Sequence, residues 1–163
     1  MTFRLRTLAP LRFLLVVAFA CPTLAQEPAA PEVPNPKFDA ALAAQVGADE
    51  HGMRSYVLVI LKTGPQRMPD GPERDAMFKG HFANMKRLAG EGKLALAGPL
   101  DGVDGWRGLF VLSVPDIEEA KTLVATDPVV AKGEMVPEFH KYFGSAALML
   151  VNEAHDRVQK KSF

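Results

Sequence analysis

A histidine on the inward face of a predicted helix is the strongest chemical signal in this 163-residue sequence. Phe78, His81, Met85 and Leu88 follow one another at spacings of three and four residues, which places them on one helical face. Histidine suits proton transfer near neutral pH, although a core histidine that is only hydrogen-bonded is the alternative. Gly80 costs the helix about 1 kcal/mol relative to alanine, so we expect a ligand or another chain segment to approach the backbone there.

Two other residues are candidates for substrate binding. His140 lies on a predicted strand and either points into the same cavity as His81 or lies at the rim of a dimer. Arg107 could hold an anionic substrate through a bidentate hydrogen bond, although a surface arginine beside acidic residues is the more ordinary interpretation.

A metal site is not expected. His81, His140 and His155 include no close pair of the H-x3-H kind that zinc sites use. The segment 101–105, DGVDG, superficially resembles a calcium loop, but the later glutamate that such a loop requires is missing, so we interpret it as a turn.

Periodicity and breaker residues predict the elements that position these residues. Asp127 precedes proline, a pattern typical of a helix N-cap, and Asp116 with Glu119 predicts a capping box. Gly64 to Pro72 reads as an irregular, mobile loop that could act as a lid. The predicted strands are Tyr56–Leu61, Lys93–Ala97, Trp106–Val114 and Glu134–Phe143. One predicted helix starts at Pro72 and a second is capped by Asp116. A third, capped by Ser145, runs from Ala146 to about Lys160.

The order strand, helix, strand, strand, helix, strand predicts an α+β fold of the ferredoxin-like, split βαβ type. It contains a four-stranded antiparallel sheet with helices on one face, plus an extra C-terminal helix. Pro137 places the last strand at an edge or a bulge. The second sheet face would remain open and apolar, so we expect a homodimer that covers it.

The first 25 residues have the pattern of a secretory signal peptide. Three arginines precede an apolar run over residues 13–20 that is too short to span a bilayer, and small residues precede a cut after Ala25. A lipidated Cys21 is the alternative. We therefore expect an exported protein, periplasmic or extracellular, without a membrane span.

The remaining chain divides into three predicted parts. Residues 26–52 form a proline-rich tether that includes a short helix ended by Gly47, residues 53–144 form the compact domain, and residues 145–163 form the C-terminal helix.

Charge and cysteine content exclude some classes of partner and cross-link. Without residues 1–25 the chain has sixteen basic and nineteen acidic residues, a formal charge of −3. Nucleic-acid binding requires clustered positive charge, so we expect no nucleic-acid partner. Cys21 is the only cysteine, so the exported domain must be stable without disulfides.

The order of several short motifs resembles the YCII-related (YciI-like) protein family over about residues 55–144. The motifs are YVLVILK from Tyr56, H-x6-L-x2-E-G-K-L from His81, AGP from Ala97, EEA from Glu118 and DP from Asp127. Glu138-x-His140 is similar to an exported branch of this family, which reads Pro-Trp where this chain has Lys141 and Tyr142.

This resemblance implies a dimeric α/β barrel-like fold with an active site built on a His–Asp pair, here His81 and Asp127. It also implies proton-transfer chemistry without a cofactor on a small molecule. The leading hypothesis is therefore an enzyme that catalyses elimination, isomerisation or hydrolysis. A non-catalytic periplasmic dimer that binds a small ligand is the second hypothesis, and haem binding through His81 is the third.

Overall fold

A four-stranded antiparallel sheet forms the centre of the fold in the computed structural model, which describes residues 35–161. The predicted signal peptide and residues 26–34 of the predicted tether lie outside these residues. The strands are β1 (Met53–Thr63), β2 (Leu94–Pro99), β3 (Trp106–Leu112) and β4 (Met135–Ser145), and the helices are α1 (Ala40–Val46), α2 (Pro72–Gly90), α3 (Ile117–Val124), α4 (Pro128–Ala131) and α5 (Val151–Val158). Two 3₁₀ turns cover Val103–Gly105 and Ala146–Leu150.

The strand order in space is β2-β3-β1-β4, and every neighbouring pair is antiparallel. This order and the alternation of helices along the chain confirm the ferredoxin-like prediction. β4 is an edge strand, as Pro137 predicts, because proline cannot donate a hydrogen bond to a neighbouring strand.

The main core lies between α2, α3, α4 and one face of the sheet. Val57, Val59 and Leu61 alternate along β1 and are buried on this face with Phe110 and Leu112 of β3. The helices contribute Met77, Leu88, Ala120, Val124 and Val129. Full burial of each valine or leucine side chain contributes roughly 1.5–3 kcal/mol, so this layer fixes where α2 and α4 lie on the sheet.

The second sheet face is partly covered by the chain's own C-terminal segment, where the sequence predicts a wholly open face. Leu148 and Met149 pack against Tyr56, Ala95 and Val111. The hydroxyl of Tyr56 donates a hydrogen bond to the carbonyl oxygen of Ser145 at 2.9 Å. The apolar residues after Ser145 therefore supply part of the cover that we assigned to a second subunit.

The C-terminal segment is also less regular than predicted. Ser145 caps it, with its hydroxyl oxygen accepting from the backbone N–H of Ala147 at 3.2 Å, but a 3₁₀ turn precedes α5. Asn152 attaches α5 to β2 by donating to the carbonyl oxygen of Leu94 at 2.7 Å. Val158, the last residue of α5, is 79% exposed.

The short helix in the predicted tether forms, whereas the capping box of Asp116 and Glu119 forms only in part. Asp39 and Gly47 cap α1, and Val46 is buried, so α1 belongs to the compact unit Lys37–Phe163. Asp116 caps α3 as predicted, but the carboxylate of Glu119 forms an ion pair with Lys93 at 2.7 Å.

Within residues 35–161, no helix combines the length and the apolarity that a membrane span requires.

Candidate functional site

The structure brings His81 and Asp127 into direct contact although 46 residues separate them in the sequence. His81 lies near the middle of α2, and Asp127 immediately precedes α4. Nδ1 of the imidazole is 2.7 Å from Oδ2 of the carboxylate. The Asp127 side chain is fully buried, whereas the His81 side chain keeps 10% of its surface exposed, so the ring is the accessible member of the pair.

Asp127 uses its second carboxylate oxygen to start α4. Oδ1 accepts a hydrogen bond from the backbone N–H of Val129 at 3.1 Å, and Pro128 occupies the first helical turn. The N-cap prediction is therefore confirmed, and the same carboxylate also contacts the histidine. These two bonds hold the carboxylate in one orientation.

The contact determines which nitrogen of the neutral imidazole is basic. An ionised carboxylate can only accept hydrogen bonds, so Nδ1 carries the proton directed at Asp127. The lone pair of the neutral ring then lies on Nε2. A histidine oriented in this way by a carboxylate has a fixed tautomer and a fixed ring orientation.

Gly80 allows α4 to approach α2 closely enough for this contact. A Cβ atom added to Gly80 would lie 3.0 Å from Cγ of Pro128. The close approach predicted from the glycine is therefore made by a chain segment, the one that carries Asp127.

Three phenylalanine rings surround the imidazole. Their centroids lie 5.4 Å (Phe82), 5.9 Å (Phe110) and 6.1 Å (Phe78) from the centroid of the histidine ring. The buried ring of Phe110 lowers the local dielectric constant beside the pair, which strengthens the interaction between the imidazole and the carboxylate.

A second buried carboxylate lies beyond Phe78. The guanidinium of Arg74 stacks over the Phe78 ring at 4.6 Å and donates to Oε1 of Glu134 at 3.0 Å. Burial raises the pKa of Glu134, but the hydrogen bonds from the Met68 backbone and from Arg74, with the positive charges of Arg74 and Arg107, outweigh this effect and hold the pKa below its ordinary value. Glu134 is therefore ionised at neutral pH.

Glu134 anchors the irregular segment 64–72, which the sequence predicts to be mobile. Its carboxylate accepts from the backbone N–H of Met68 at 2.7 Å, and its carbonyl oxygen accepts from that of Gly64 at 2.8 Å. Met68 also packs against the main core. The backbone N–H of Gln66 also donates to the carbonyl oxygen of Gly133 at 3.1 Å, so the first half of this loop is attached to the chain beside α4.

His140 does not join the His81–Asp127 pair. Phe139 packs into the main core, so its neighbour His140 points to the opposite face of the sheet, level with Leu58 of β1. There Glu138 accepts hydrogen bonds from Lys62 at 2.8 Å and from His140 at 2.7 Å. The bonds from Lys62 and His140 hold the pKa of Glu138 below its ordinary value.

Arg107 has its identified electrostatic partner elsewhere. Its charge acts on Glu134, and none of the contacts that the structure shows connects it with His81. Arg107 and His81, which the sequence assigns to one site, therefore interact with different carboxylates, Glu134 and Asp127.

Sequence reasoning missed a polar group beside the pair. Asn84 and Arg87 on α2 and Thr126, which precedes Asp127, are joined by hydrogen bonds. The spacing of three residues between His81 and Asn84 indicates a shared helix face, but nothing local to residue 126 indicates its partners.

Among residues 35–161, no cluster of three histidine, cysteine, aspartate or glutamate side chains could hold a metal ion. Two surface cavities of about 380 and 460 Å³ are lined by other segments, one around Arg54 and Ser113 and one along residues 68–73.

Comparison with known proteins identifies the family. A search of curated proteins finds no match for this chain. The sequence model of the YCII-related domain matches residues 55–137, about half of the chain, from β1 to the start of β4. The matched segment includes both His81 and Asp127. The chain therefore belongs to the YCII-related domain family.

Proposed function

We propose that this chain is a small enzyme without a cofactor, in which the His81–Asp127 pair performs general acid/base chemistry on a small molecule. The 2.7 Å contact between Nδ1 and Oδ2 is the observation that carries this proposal. In the reaction, Nε2 of His81 accepts a proton from the substrate or from a water molecule and later returns it. Asp127 orients the ring and stabilises the imidazolium that forms.

The surroundings of the pair favour a substrate with an apolar or planar portion. The rings of Phe78, Phe82 and Phe110 pack around the imidazole, and aromatic faces bind planar groups well. Elimination, isomerisation and hydrolysis all need one group that takes and returns a proton, so the pair is compatible with each of them.

A screen for proton exchange tests this proposal without knowledge of the substrate. Small carbonyl compounds, hydroxy acids and halogenated compounds are incubated with the protein in D₂O, and NMR detects deuterium incorporation, elimination products and hydrolysis products. We expect at least one compound to react with the wild-type protein and not with His81→Gln. Glutamine can still donate a hydrogen bond to Asp127, so the buried carboxylate keeps a partner. Equal turnover by both proteins would contradict the proposal.

Ligand binding without catalysis is the second candidate function. It is supported by the small exposed fraction of the His81 ring, 10%, which suits a binding pocket as well as a reaction site. A compound that binds at His81 and is recovered unchanged after long incubation, with no deuterium incorporated, would favour this function over catalysis.

Haem binding through His81 has less support from the geometry. The His81 side chain keeps only 10% of its surface exposed, which is small for a group that must contact a macrocycle as large as haem. Addition of haem to the purified protein, with a Soret band as the readout, tests this third candidate.

We also propose that the protein is exported and acts as a homodimer. The N-terminal pattern supports export. The C-terminal segment leaves part of the second sheet face exposed, and Trp106, Val136 and Tyr142 are exposed there. This supports the dimer, because large exposed apolar side chains mark interaction surfaces.

A further inference from the structure

The group that includes Asn84, Arg87 and Thr126 connects α2 with the residue immediately before Asp127. Nη2 of Arg87 is 2.8 Å from Oδ1 of Asn84 and 3.2 Å from Oγ1 of Thr126. Asn84 is itself nine-tenths buried. The segment 126–128 therefore touches α2 at three points, through Thr126, Asp127 and Pro128.

Proton counting shows that Arg87 is the centre of this group. Thr126 has a single hydroxyl proton, and its shorter contact, 2.7 Å, is with the carbonyl oxygen of Leu123 rather than with Asn84 at 3.1 Å. Nη2 of Arg87 carries two protons and can donate to both Asn84 and Thr126. The guanidinium thus links the two side chains.

The orientation of the Asn84 amide supports the same conclusion. Its nitrogen, Nδ2, is buried and has no acceptor among residues 35–161. Rotation of the amide would let this nitrogen donate to Thr126, but it would also turn an N–H₂ group towards the Arg87 guanidinium. Arg87 therefore imposes the observed orientation, although a buried donor is left without a partner.

We propose that Arg87 is a positioning residue for the His81–Asp127 pair. By holding Thr126 against α2, it sets the position of Asp127, so that one carboxylate can bind both Nδ1 of His81 and the first turn of α4. The Arg87 side chain is 45% exposed, so the pair depends on a residue near the surface that does not touch the imidazole. The importance of Arg87 for catalysis rests on the proposed function. Its effect on the contact between His81 and Asp127 can be measured without turnover.

The test measures the ratio of the two neutral tautomers of His81 by ¹⁵N NMR at alkaline pH. We expect the Nδ1–H tautomer to dominate in the wild-type protein. Arg87→Met should shift the tautomer ratio towards Nε2–H by on the order of tenfold, because a displaced Asp127 would lose the charge-assisted hydrogen bond from Nδ1 of His81. Thr126→Val should shift it in the same direction, and Thr126→Ser, which keeps the hydroxyl, should restore the wild-type ratio.

Two substitutions serve as matched controls. Lys86→Met removes a positive charge from the adjacent exposed position of α2, and Thr122→Val removes a hydroxyl that binds only the Glu118 carbonyl oxygen among the contacts shown. We expect both to keep the wild-type ratio. A wild-type ratio in Arg87→Met and Thr126→Val would overturn the inference, even if both variants were less stable. Failure of the proposed function would instead appear as unchanged turnover in His81→Gln, a separate measurement.

Discussion

At the scale of single residues, the Asp127 carboxylate binds both the ring of His81 and the backbone N–H of Val129. Its role as N-cap follows from the local pattern Asp-Pro and could be predicted from the sequence. Its contact with His81 joins residues 46 positions apart, and only the family resemblance implied that pairing. Periodicity could show that His81 faces inward, but not what it faces.

Gly80 is the residue whose substitution should loosen the pair most directly. Gly80→Ala would place a Cβ 3.0 Å from Cγ of Pro128, whereas the same change at Gly90 meets no atom within 4 Å. Alanine in a helix gains about 1 kcal/mol over glycine, so Gly90→Ala should raise the free energy of unfolding by up to that amount. Gly80→Ala should gain less or lose stability, because α4 must move. Chemical denaturation compares the two variants, and an equal gain in both would contradict the close approach.

Glu138 tests the polar group on the opposite sheet face. The bond from Lys62 is the largest cause of its lowered pKa, ahead of that from His140. Lys62→Met should therefore raise the pKa of Glu138 towards the ordinary value of 4.5, as measured by NMR titration of the side-chain carboxyl carbon. An unchanged pKa would show that Lys62 does not bind Glu138 in solution.

At the scale of elements, the sequence predicted the four strands and the helices α2 and α3, because each has a clear period and clear breakers. It was less successful after Ser145, where an apolar segment fits a helix and a sheet-covering turn equally well. It also could not reveal that the loop 64–72 is attached to Glu134. The ligands of that carboxylate, Met68 and Arg74, are 66 and 60 residues away, and no local pattern indicates them.

The hydrogen bonds of the Glu134 carboxylate with Arg74 and Met68 predict how the free energy of unfolding depends on pH. The folded-state pKa of Glu134 lies below the ordinary value of 4.5, so its ionised form stabilises the fold above that value and the contribution is lost as the pH falls through the folded-state pKa. Glu134→Gln should lower the free energy of unfolding by about 3 kcal/mol at neutral pH, the lower end of the range for removal of one partner from a buried ion pair.

The lower end applies because Arg74 keeps its contacts with Asp70 and Phe78. Unfolding curves at several pH values check the prediction. The difference between wild type and variant should shrink as the pH falls below 4.5, and a difference independent of pH would contradict the ionised state of Glu134.

At the scale of the whole molecule, the order of elements was sufficient to predict the ferredoxin-like topology. The prediction of an open second face failed in part, since Leu148 and Met149 of the C-terminal segment cover part of that face. The exposed remainder of that face lies beside β4 and includes Val136 and Tyr142. The proposed dimer would use this smaller surface.

Sedimentation equilibrium tests this dimer. We expect the wild-type protein to be dimeric and Val136→Glu to be monomeric, because a carboxylate that replaces an exposed apolar side chain is costly to bury in an interface. Lys160→Glu, at an exposed position after the end of α5, is the matched control and should remain dimeric. A monomeric wild-type protein would contradict the proposal.

The rate of turnover in variants of the pair tests the central claim most directly. With a substrate from the D₂O screen, His81→Gln should lower kcat/KM by roughly 10²–10⁴-fold, the usual contribution of general acid/base catalysis. Asp127→Asn should also lower it strongly, because the amide no longer holds the Nδ1–H tautomer. His140→Gln, on the other sheet face, should retain the wild-type rate. If His81→Gln kept the wild-type rate, or if only His140→Gln lost activity, the site would lie elsewhere and the account would be wrong.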